Sequence, residues 1–407
     1  MAGVIVLEYK LYGRAEQFAA VNEAIRTVQF IRNKCLRKWM DEEKVSKYDL
    51  SAFTATLAKE YPFAAKLNSM ARQAAAERAW SAISRFYENA KKGVRPVGYP
   101  TFDKHGRSVE YKTTGWKLSM DRKRLTFTDG HGVGSLKMKG TRDLDAYDPA
   151  LIKRVRIVRR ADGHYAQFAL SVQRSEGIEP SGKAVGLDVG LESFYTDSTG
   201  HHEPNPRFLR KADRQLRRAQ RRVSRRKKGS TNRRQAVSKL GRIHLRVQRQ
   251  RKDHATKLAR CVVRSNDLVA VEDLQVASVV KNRFLARSIA DVSWGQFRGA
   301  LEYFGRVYGK VVVAVPPHFT SVECSSCGAR VAKSLSTRTH ACPCCKAMLH
   351  RDHNAALNVL ERGLRIAGHA RTAISDDGNA WGEEGRYSPD SNAGAASPLV
   401  EPGIPRL

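Results

Sequence analysis

The sequence predicts a multidomain α+β protein, and three observations lead there. A helical stretch over about 15–90 gives way to short strand-like pieces between 96 and 175. Two later apolar runs, Ala184–Val189 and Leu268–Val271, carry acids at or just beyond their ends. Four cysteines pair as Cys-x-x-Cys between 324 and 345. At 407 residues the chain has room for roughly two to four domains with ample core.

Residues 4–12 alternate loosely between apolar and polar and read as a strand. From 15 onward the period changes: Phe18, Val21, Ile25, Val28 and Phe30 recur at helical spacing. Ala64–Ala90 is alanine-rich, with Trp80, Ile83, Phe86 and Tyr87 on one side. Arg72, Arg78 and Arg85 on this stretch are candidate nucleic-acid contacts, although cations on an exposed helix are commonly just solvated surface. Gly93, Pro96, Gly98 and Pro100 stop the helices. Asp129-Gly130 and Asp162-Gly163 are turn signals between strands, so 96–175 reads as a small antiparallel barrel or sandwich. The strand at 4–12 can belong to it, with the helices inserted between. Cys35 and Cys261 stand alone in helix-like contexts and read as buried residues.

The run Ala184-Val185-Gly186-Leu187-Asp188-Val189-Gly190 suits a buried central strand, with glycines that let other groups approach the backbone. A carboxylate there is costly to bury unless it is paired or binds a metal. Glu272 ends the second apolar run, and Asp352 lies in the first turn of a helix opening at His350-Arg351. Singly, each reads as a strand-end or helix-capping acid. Together they fit one metal-binding triad, because gathered carboxylates repel and divalent cations relieve that repulsion. Magnesium takes oxygen ligands and leaves part of its shell to phosphate and water, and two such ions serve phosphodiester cleavage. Acids on a central strand, a second strand and a later helix are the arrangement of an RNase H-like fold. Scattered structural acids in a zinc-ribbon binding protein are the competing reading.

Charge points to a polyanion. Lys and Arg number 73 against 40 acids, a net +33, and nucleic acid is the default partner for such an excess, ahead of a membrane surface. Nothing in the sequence approaches the ~18 apolar residues a membrane-spanning helix needs. The first residues lack the charged leader and apolar core of a signal peptide, so we expect an intracellular protein. Residues 207–252 hold twenty Lys or Arg and one acid, Asp213. Leu216, Ala219 and Val223, then Ile243 and Val247, keep a helical apolar stripe on either side of Gly229-Ser230. Two basic helices are expected, with Arg214, Arg217, Arg218, Arg221, Arg222, Arg225, Arg226, Lys227 and Lys228 as candidate phosphate contacts. Such contacts give affinity without reading base sequence.

Cys324-x-x-Cys327 and Cys342-x-x-Cys345, 14 residues apart, each present two thiolates to one tetrahedral zinc. Gly328 and Pro343 suit the tight turns, and Cys344 stays outside the shell. A closed four-thiolate site has no open position for chemistry. Its expected part is structural: it holds a small module beside Asp352.

These residues carry a resemblance. Thr320-Ser321-x-x-Cys324-Ser325-x-Cys327-Gly328, Arg338-x-x-x-Cys342-Pro343-x-Cys345 and Arg351-Asp352-x-Asn354-Ala355-Ala356-x-Asn358 resemble the C-terminal signature of the TnpB proteins of insertion sequences. These are RNA-guided nucleases related to compact type V CRISPR effectors. Gly186–Gly190, Val271–Leu274 and Gly98-Tyr99-Pro100-x-Phe102 match the family as well, and the likeness runs in order from 4 to 365.

The resemblance implies a wedge-type β-barrel at 1–14 and 93–180 with a helical recognition domain, 15–92, inserted in it. It implies a RuvC nuclease domain at 181–319 and 349–368, with the basic helices of 207–258 inside it. The zinc ribbon would be 320–348, and 369–407 a disordered tail. Asp188, Glu272 and Asp352 match the RuvC acids, holding two magnesium ions, and Arg338 matches an arginine of the motif that helps with phosphate charge. The partners implied are a guide RNA from the transposon end, one protein to each RNA, and double-stranded target DNA beside a short flanking motif. No membrane is involved, and the setting is a prokaryotic cytoplasm. His340 stands where many members have an aromatic residue, which leaves the packing there open. Some relatives have lost their acids and act as RNA-guided repressors. Here all three are present, so cleavage is expected over that role and over a protein-only transposase.

Overall fold

The computed structural model describes residues 3–140, 142–172, 174–274, 286–334 and 337–372. The chain falls into two compact units, Met1–Gly177 with Arg207–Ala255, and Ile178–Pro206 with Thr256–Leu407. The architecture is mixed α/β in both. Among the described residues no helix is long and apolar enough to cross a membrane.

In the first unit, strand β1 (Gly3–Tyr12) is followed by helices α1 (Ala15–Asp41), α2 (Lys47–Glu60), α3 (Pro62–Ala65) and α4 (Ser69–Lys91). Six strands follow: β2 (Ser108–Tyr111), β3 (Trp116–Leu118), β4 (Arg124–Phe127), β5 (Ser135–Lys139), β6 (Ile152–Arg160) and β7 (Gly163–Val172). With β1 they form one sheet of order β2-β6-β7-β1-β5-β4-β3. The first strand is therefore central, antiparallel to β7 and to β5, although helices separate it from both in sequence. Its alternation is real: Ile5, Leu7, Tyr9 and Leu11 are buried while Val4 and Val6 face out. The edge strands β2 and β3 do not pair with each other, so the expected barrel is an open sheet. α1 and α4 share its core, and α4 approaches closely because its buried face is alanine, at 71, 74, 75, 76 and 79.

Arg78, on α4, is only partly exposed and is engaged by β2. Its Nη1 donates to Ser108 O at 3.1 Å, and its Nη2 lies 3.5 Å from Glu110 Oε2. Glu110, 5% exposed, also takes Arg154 at 2.8 Å and Arg156 at 2.7 Å. Burial opposes its charge, but Arg78, Arg156 and the hydrogen bonds outweigh that and hold its carboxyl at about 2. The folded state therefore gains stability above the ordinary glutamate range and loses it as pH falls toward 2. Glu110→Gln is expected to cost about 3 kcal/mol at neutral pH and to flatten the acid limb of the stability curve, read by urea unfolding. Arg72 is half-engaged too, donating to Ala64 O at 3.3 Å, while Arg85 is exposed.

The basic segment forms α5 (Phe208–Ser224) and α6 (Thr231–Ser265), joined by a short turn. Leu216 and Val223 pack against Ala236, Leu240 and Ile243. Arg233 ties the tip by donating to Val223 O at 2.7 Å. The hairpin docks on the β6–β7 turn: Arg249 donates to Asp162 Oδ2 and to Tyr165 OH, both at 2.7 Å, and Gly241 sits against Ala161. This packing places 207–255 in the first unit, whereas the sequence reading groups 207–258 with the nuclease domain. Cys35 is buried as expected; Cys261, on α6, is exposed.

The second unit has a five-stranded sheet of β8 (Ala184–Asp188), β9 (Ser193–Asp197), β10 (His202–Pro204), β11 (Leu268–Glu272) and β12 (Val311–Val315), in the order β10-β9-β8-β11-β12. β8, β11 and β12 run parallel; β9 and β10 are antiparallel additions. Val269, Ala270 and Val271 are all buried, as a central parallel strand requires. Helices α7 (Ala286–Val292) and α8 (Trp294–Tyr308) precede β12. A two-stranded ribbon, β13 (Thr339–Ala341) and β14 (Met348–His350), then leads into α9 (Arg351–Thr372). The tail expected from 369 is helical to 372; the rest of it, 373–407, lies outside the described residues.

Two glycines seat α9 on the sheet. A Cβ on Gly186 of β8 would stand 2.2 Å from Ala356 O and 2.5 Å from Leu360 N. A Cβ on Gly363 of α9 would stand 2.3 Å from Ala270 Cβ. The first clash is with helix backbone, which cannot step aside. Gly186→Ala is expected to cost about 3 kcal/mol in urea unfolding. The fraction that still folds should carry a displaced α9.

Candidate functional site

Asp188 and Glu272 close neighbouring parallel strands. Leu187 lies opposite Val271, so the two acids are the next residues along in register. Asp352 sits in the first turn of α9, brought to the same sheet by the contact at Gly186. Glu272 is 7% exposed, the Asp352 side chain 14%, and Asp188 is partly buried. The Asp188 carboxyl is pushed well above the usual range, by burial first, then by the charges of Glu272 and Asp352. Arg351 pulls it the other way. Glu272 is raised by burial as well, against a hydrogen bond from Thr320 Oγ1 at 2.6 Å and the charge of Arg362. The three expected acids thus share one electrostatic neighbourhood, in which Arg351 and Arg362 offset only part of the burial and repulsion. A hard divalent cation supplies further positive charge and accepts such oxygens, so the residue types fit one.

The cysteines converge more tightly. Cys324, Cys327, Cys342 and Cys345 have their ligand atoms within 4.8 Å of one another, the one such metal-ready cluster among the described residues. Sγ separations of 3.6 Å (Cys324–Cys345) and 3.5 Å (Cys327–Cys342) are close to the ~3.8 Å edge of a tetrahedral zinc–thiolate site. The two knuckles are built alike. Gly328 N donates to Cys324 O at 2.8 Å and Lys346 N to Cys342 O at 3.1 Å, and both residues take positive φ, 74° and 61°. Backbone N–H groups of the second turn, that of Cys345 first, draw the Cys342 thiol down to about 6, toward the thiolate a metal needs. Cys344 is exposed. His340 is fully buried and takes Lys333 Nζ against its Nδ1, so an imidazole fills the place open in the sequence reading.

Arg338 is half-exposed and pairs with Glu192 at 2.8 Å. Its carbonyl accepts from Arg351 N at 2.7 Å, next to Asp352. Arg214, Arg217, Arg218, Arg221, Arg222, Arg225, Arg226, Lys227 and Lys228 are all exposed on α5 and its turn, with Arg217 paired to Asp213 at 2.9 Å. The sequence reading misses Thr320, Glu192, Arg351 and Arg362. Thr320 and Arg351 stand in the quoted signature and are the two it had the means to find.

Residues 167–283, which include Asp188 and Glu272, match the OrfB_IS605 family, described as a probable transposase. Residues 294–359, which include the four cysteines and Asp352, match the Cas12f1-like TNB domain. A protein of Streptomyces pristinaespiralis, provisionally named an RNA-guided DNA endonuclease, is 32% identical over 98% of both chains. This chain belongs to the TnpB family. A second relative, InsQ of Escherichia coli K12, carries the same provisional name and is 28% identical over 72% of this chain and 74% of its own. The fold of this TnpB chain resembles that of a Cas12f1 protein solved with guide RNA and target DNA. The TM-score is 0.52 at 13% identity, over 88% of this chain and 98% of that one.

Proposed function

We propose that this chain is an RNA-guided DNA endonuclease that hydrolyses phosphodiester bonds with divalent metal at Asp188, Glu272 and Asp352. The observation that carries the reading is the placement of these acids: two on adjacent parallel strands, one on the closing helix, with Asp188 held toward its neutral form by burial first and then by the charges of the other two. The strand order β10-β9-β8-β11-β12, three antiparallel strands followed by two parallel to the first, supports an RNase H-like domain of RuvC type. The open sheet with its inserted helices supports a wedge and a recognition domain.

The three carboxylates would hold magnesium, which when bound supplies Lewis-acid stabilisation to the attacking water and the leaving oxygen. The chain's own residues do the rest. With Glu272 7% exposed and the Asp352 side chain 14%, their carboxylates are largely shielded from bulk water, which strengthens their attraction for a cation. Arg338 shares only an exposed ion pair with Glu192, worth little in water, so its guanidinium is open to a phosphate. The cysteines would hold one zinc and keep the ribbon folded beside Asp352. The guide RNA would select the target by pairing, in a prokaryotic cytoplasm, beside a short DNA motif read by the protein.

Sequencing the RNA that copurifies with the full chain supplies the guide, and Mg²⁺-dependent cutting of matching DNA then tests the reading. Protein that emerges without a specific RNA, and binds DNA equally well without one, defeats it. The hairpin gives a separate expectation. Replacing Arg221, Arg222, Arg225 and Arg226 with alanine should weaken polynucleotide binding on the order of tenfold or more, alike for all sequences. The slope of log affinity against log salt should fall by about one for each phosphate that is no longer neutralised.

A further inference from the structure

The segment that joins β12 to the first cysteine knuckle is gripped by a single face of α9. Asn354, Asn358 and Arg362, each four residues after the last, all reach into it. Arg362 Nη1 donates to Pro316 O at 3.0 Å and His318 O at 2.7 Å, and its Nη2 meets Glu323 Oε2 at 2.7 Å. Asn358 Nδ2 donates to Thr320 O and to Glu323 O, each at 2.8 Å. Asn354 Nδ2 donates to Glu323 O at 2.7 Å, and its Oδ1 accepts from Ser325 N at 3.0 Å. Asn354 and Asn358 are buried, as is Thr320. In the middle of this grip Phe319 takes a left-handed φ of 64°, a costly conformation for an aromatic residue. It persists because its surroundings over-determine it: Val322 N and Glu323 N close the turn on Phe319 O at 3.0 and 2.9 Å.

What the turn delivers is one hydroxyl. Thr320 Oγ1 lies 2.6 Å from Glu272 Oε1 and 3.1 Å from Pro317 O. It has one proton, and the shorter contact goes to the carboxylate. That bond occupies one oxygen of Glu272 and leaves Oε2 for a ligand. A β-branched side chain adds stiffness, since threonine has few χ1 positions open to it.

We propose that Thr320 is a positioning residue: it fixes the Glu272 carboxylate for divalent metal, and Asn354, Asn358 and Arg362 hold Thr320 in place. The inference rests on the nuclease reading. It gives the Thr320 and Asn354/Asn358 portions of the signature a physical task. The helix that brings Asp352 is the helix that aims Glu272, so one element sets two of the three acids.

The test compares Thr320→Val, which keeps the shape and removes the hydroxyl, with Thr320→Ser, which keeps the hydroxyl. The full chain is purified with its own RNA, and zinc content and circular dichroism serve as checks on folding. Two quantities are read: the Mg²⁺ concentration for half-maximal cleavage, and the rise in melting temperature on adding Mg²⁺, which needs no turnover. Thr320→Val is expected to raise the half-maximal Mg²⁺ about tenfold, as removal of a ligand's hydrogen-bond partner does, and to shrink the melting-temperature rise. Thr320→Ser should recover most of both. A folded Thr320→Val with the wild-type Mg²⁺ midpoint and melting rise overturns the proposal. So does a Thr320→Ser as impaired as Thr320→Val, since the hydroxyl would then be irrelevant. If Thr320→Val does not fold, Thr320→Ala against Thr320→Ser decides on the same criteria. Asp188→Asn is the separate control: if it leaves the melting rise and the cutting intact, the nuclease reading fails irrespective of Thr320.

Discussion

Asp188→Asn is expected to lower guide-directed DNA cleavage by a factor on the order of 10³ or more, with RNA and target binding kept within a few-fold. Loss of an acid that holds the metal removes several kcal/mol of transition-state stabilisation, and about 1.4 kcal/mol is tenfold in rate. Stability should move the other way. The Asp188 carboxyl is raised by burial and by Glu272 and Asp352, so the folded chain holds that proton more tightly than the unfolded chain. Its contribution is present in full below the ordinary carboxylate range and is lost as pH rises through the raised folded value. Asparagine has no such loss. In metal-free buffer at neutral pH the variant should melt a few degrees above wild type, and added Mg²⁺ should narrow or reverse the gap. Differential scanning calorimetry across pH, with and without Mg²⁺, reads both effects. Equal melting in both buffers, or undiminished cutting, would show that the acids share no ion.

Removal of zinc should also abolish cleavage, and Mg²⁺ alone should not restore it. Structural zinc contributes of the order of 10 kcal/mol to the folding of isolated zinc-finger peptides, so the part of the 29-residue module 320–348 that lies beyond the hydrogen bonds from α9 to Thr320, Glu323 and Ser325 depends on the metal. Without the metal, four thiols with Sγ atoms about 3.5 Å apart lose their reason to converge. The ribbon β13–β14 then frays, and Ser325 leaves Asn354. Cys342→Ser is expected to act alike. The measurement is cleavage after chelation and back-titration: activity should return with Zn²⁺ and stay absent with Mg²⁺. Full activity in a chelated protein with no zinc by elemental analysis would show that cutting does not need the module.

The parts legible in the sequence are those whose physics is local. Cys-x-x-Cys is a complete instruction for a metal turn, and both knuckles form as read. The period switch near 15, the breakers after 92 and the apolar stripe through Leu216 and Val223 each specify their own element. The two acidic strands announce themselves as short apolar runs flanked by polar residues. What the sequence hides is pairing at a distance. Arg78 and Arg85 look equivalent on α4, and only Ser108 and Glu110, on a strand that follows, tie the first of them to the sheet. Thr320 reads as one more residue before a cysteine until the turn at Phe319 points it at Glu272. The basic helices give no sign that Arg249 will lock them to the β6–β7 turn. Cys261 sits in an apolar stretch, yet faces solvent.

The order in which the strands and helices occur along the chain bears on biosynthesis. Asp352 belongs to α9, which follows every other described element, whereas α5, the first arm of the cationic hairpin, is made more than a hundred residues earlier. A ribosome therefore exposes the first cationic helix before the third acid has been translated. On the proposed reading, the nascent polypeptide would then have an affinity for RNA and no means of cutting, which would let each molecule acquire its own transcript before it becomes dangerous to the chromosome.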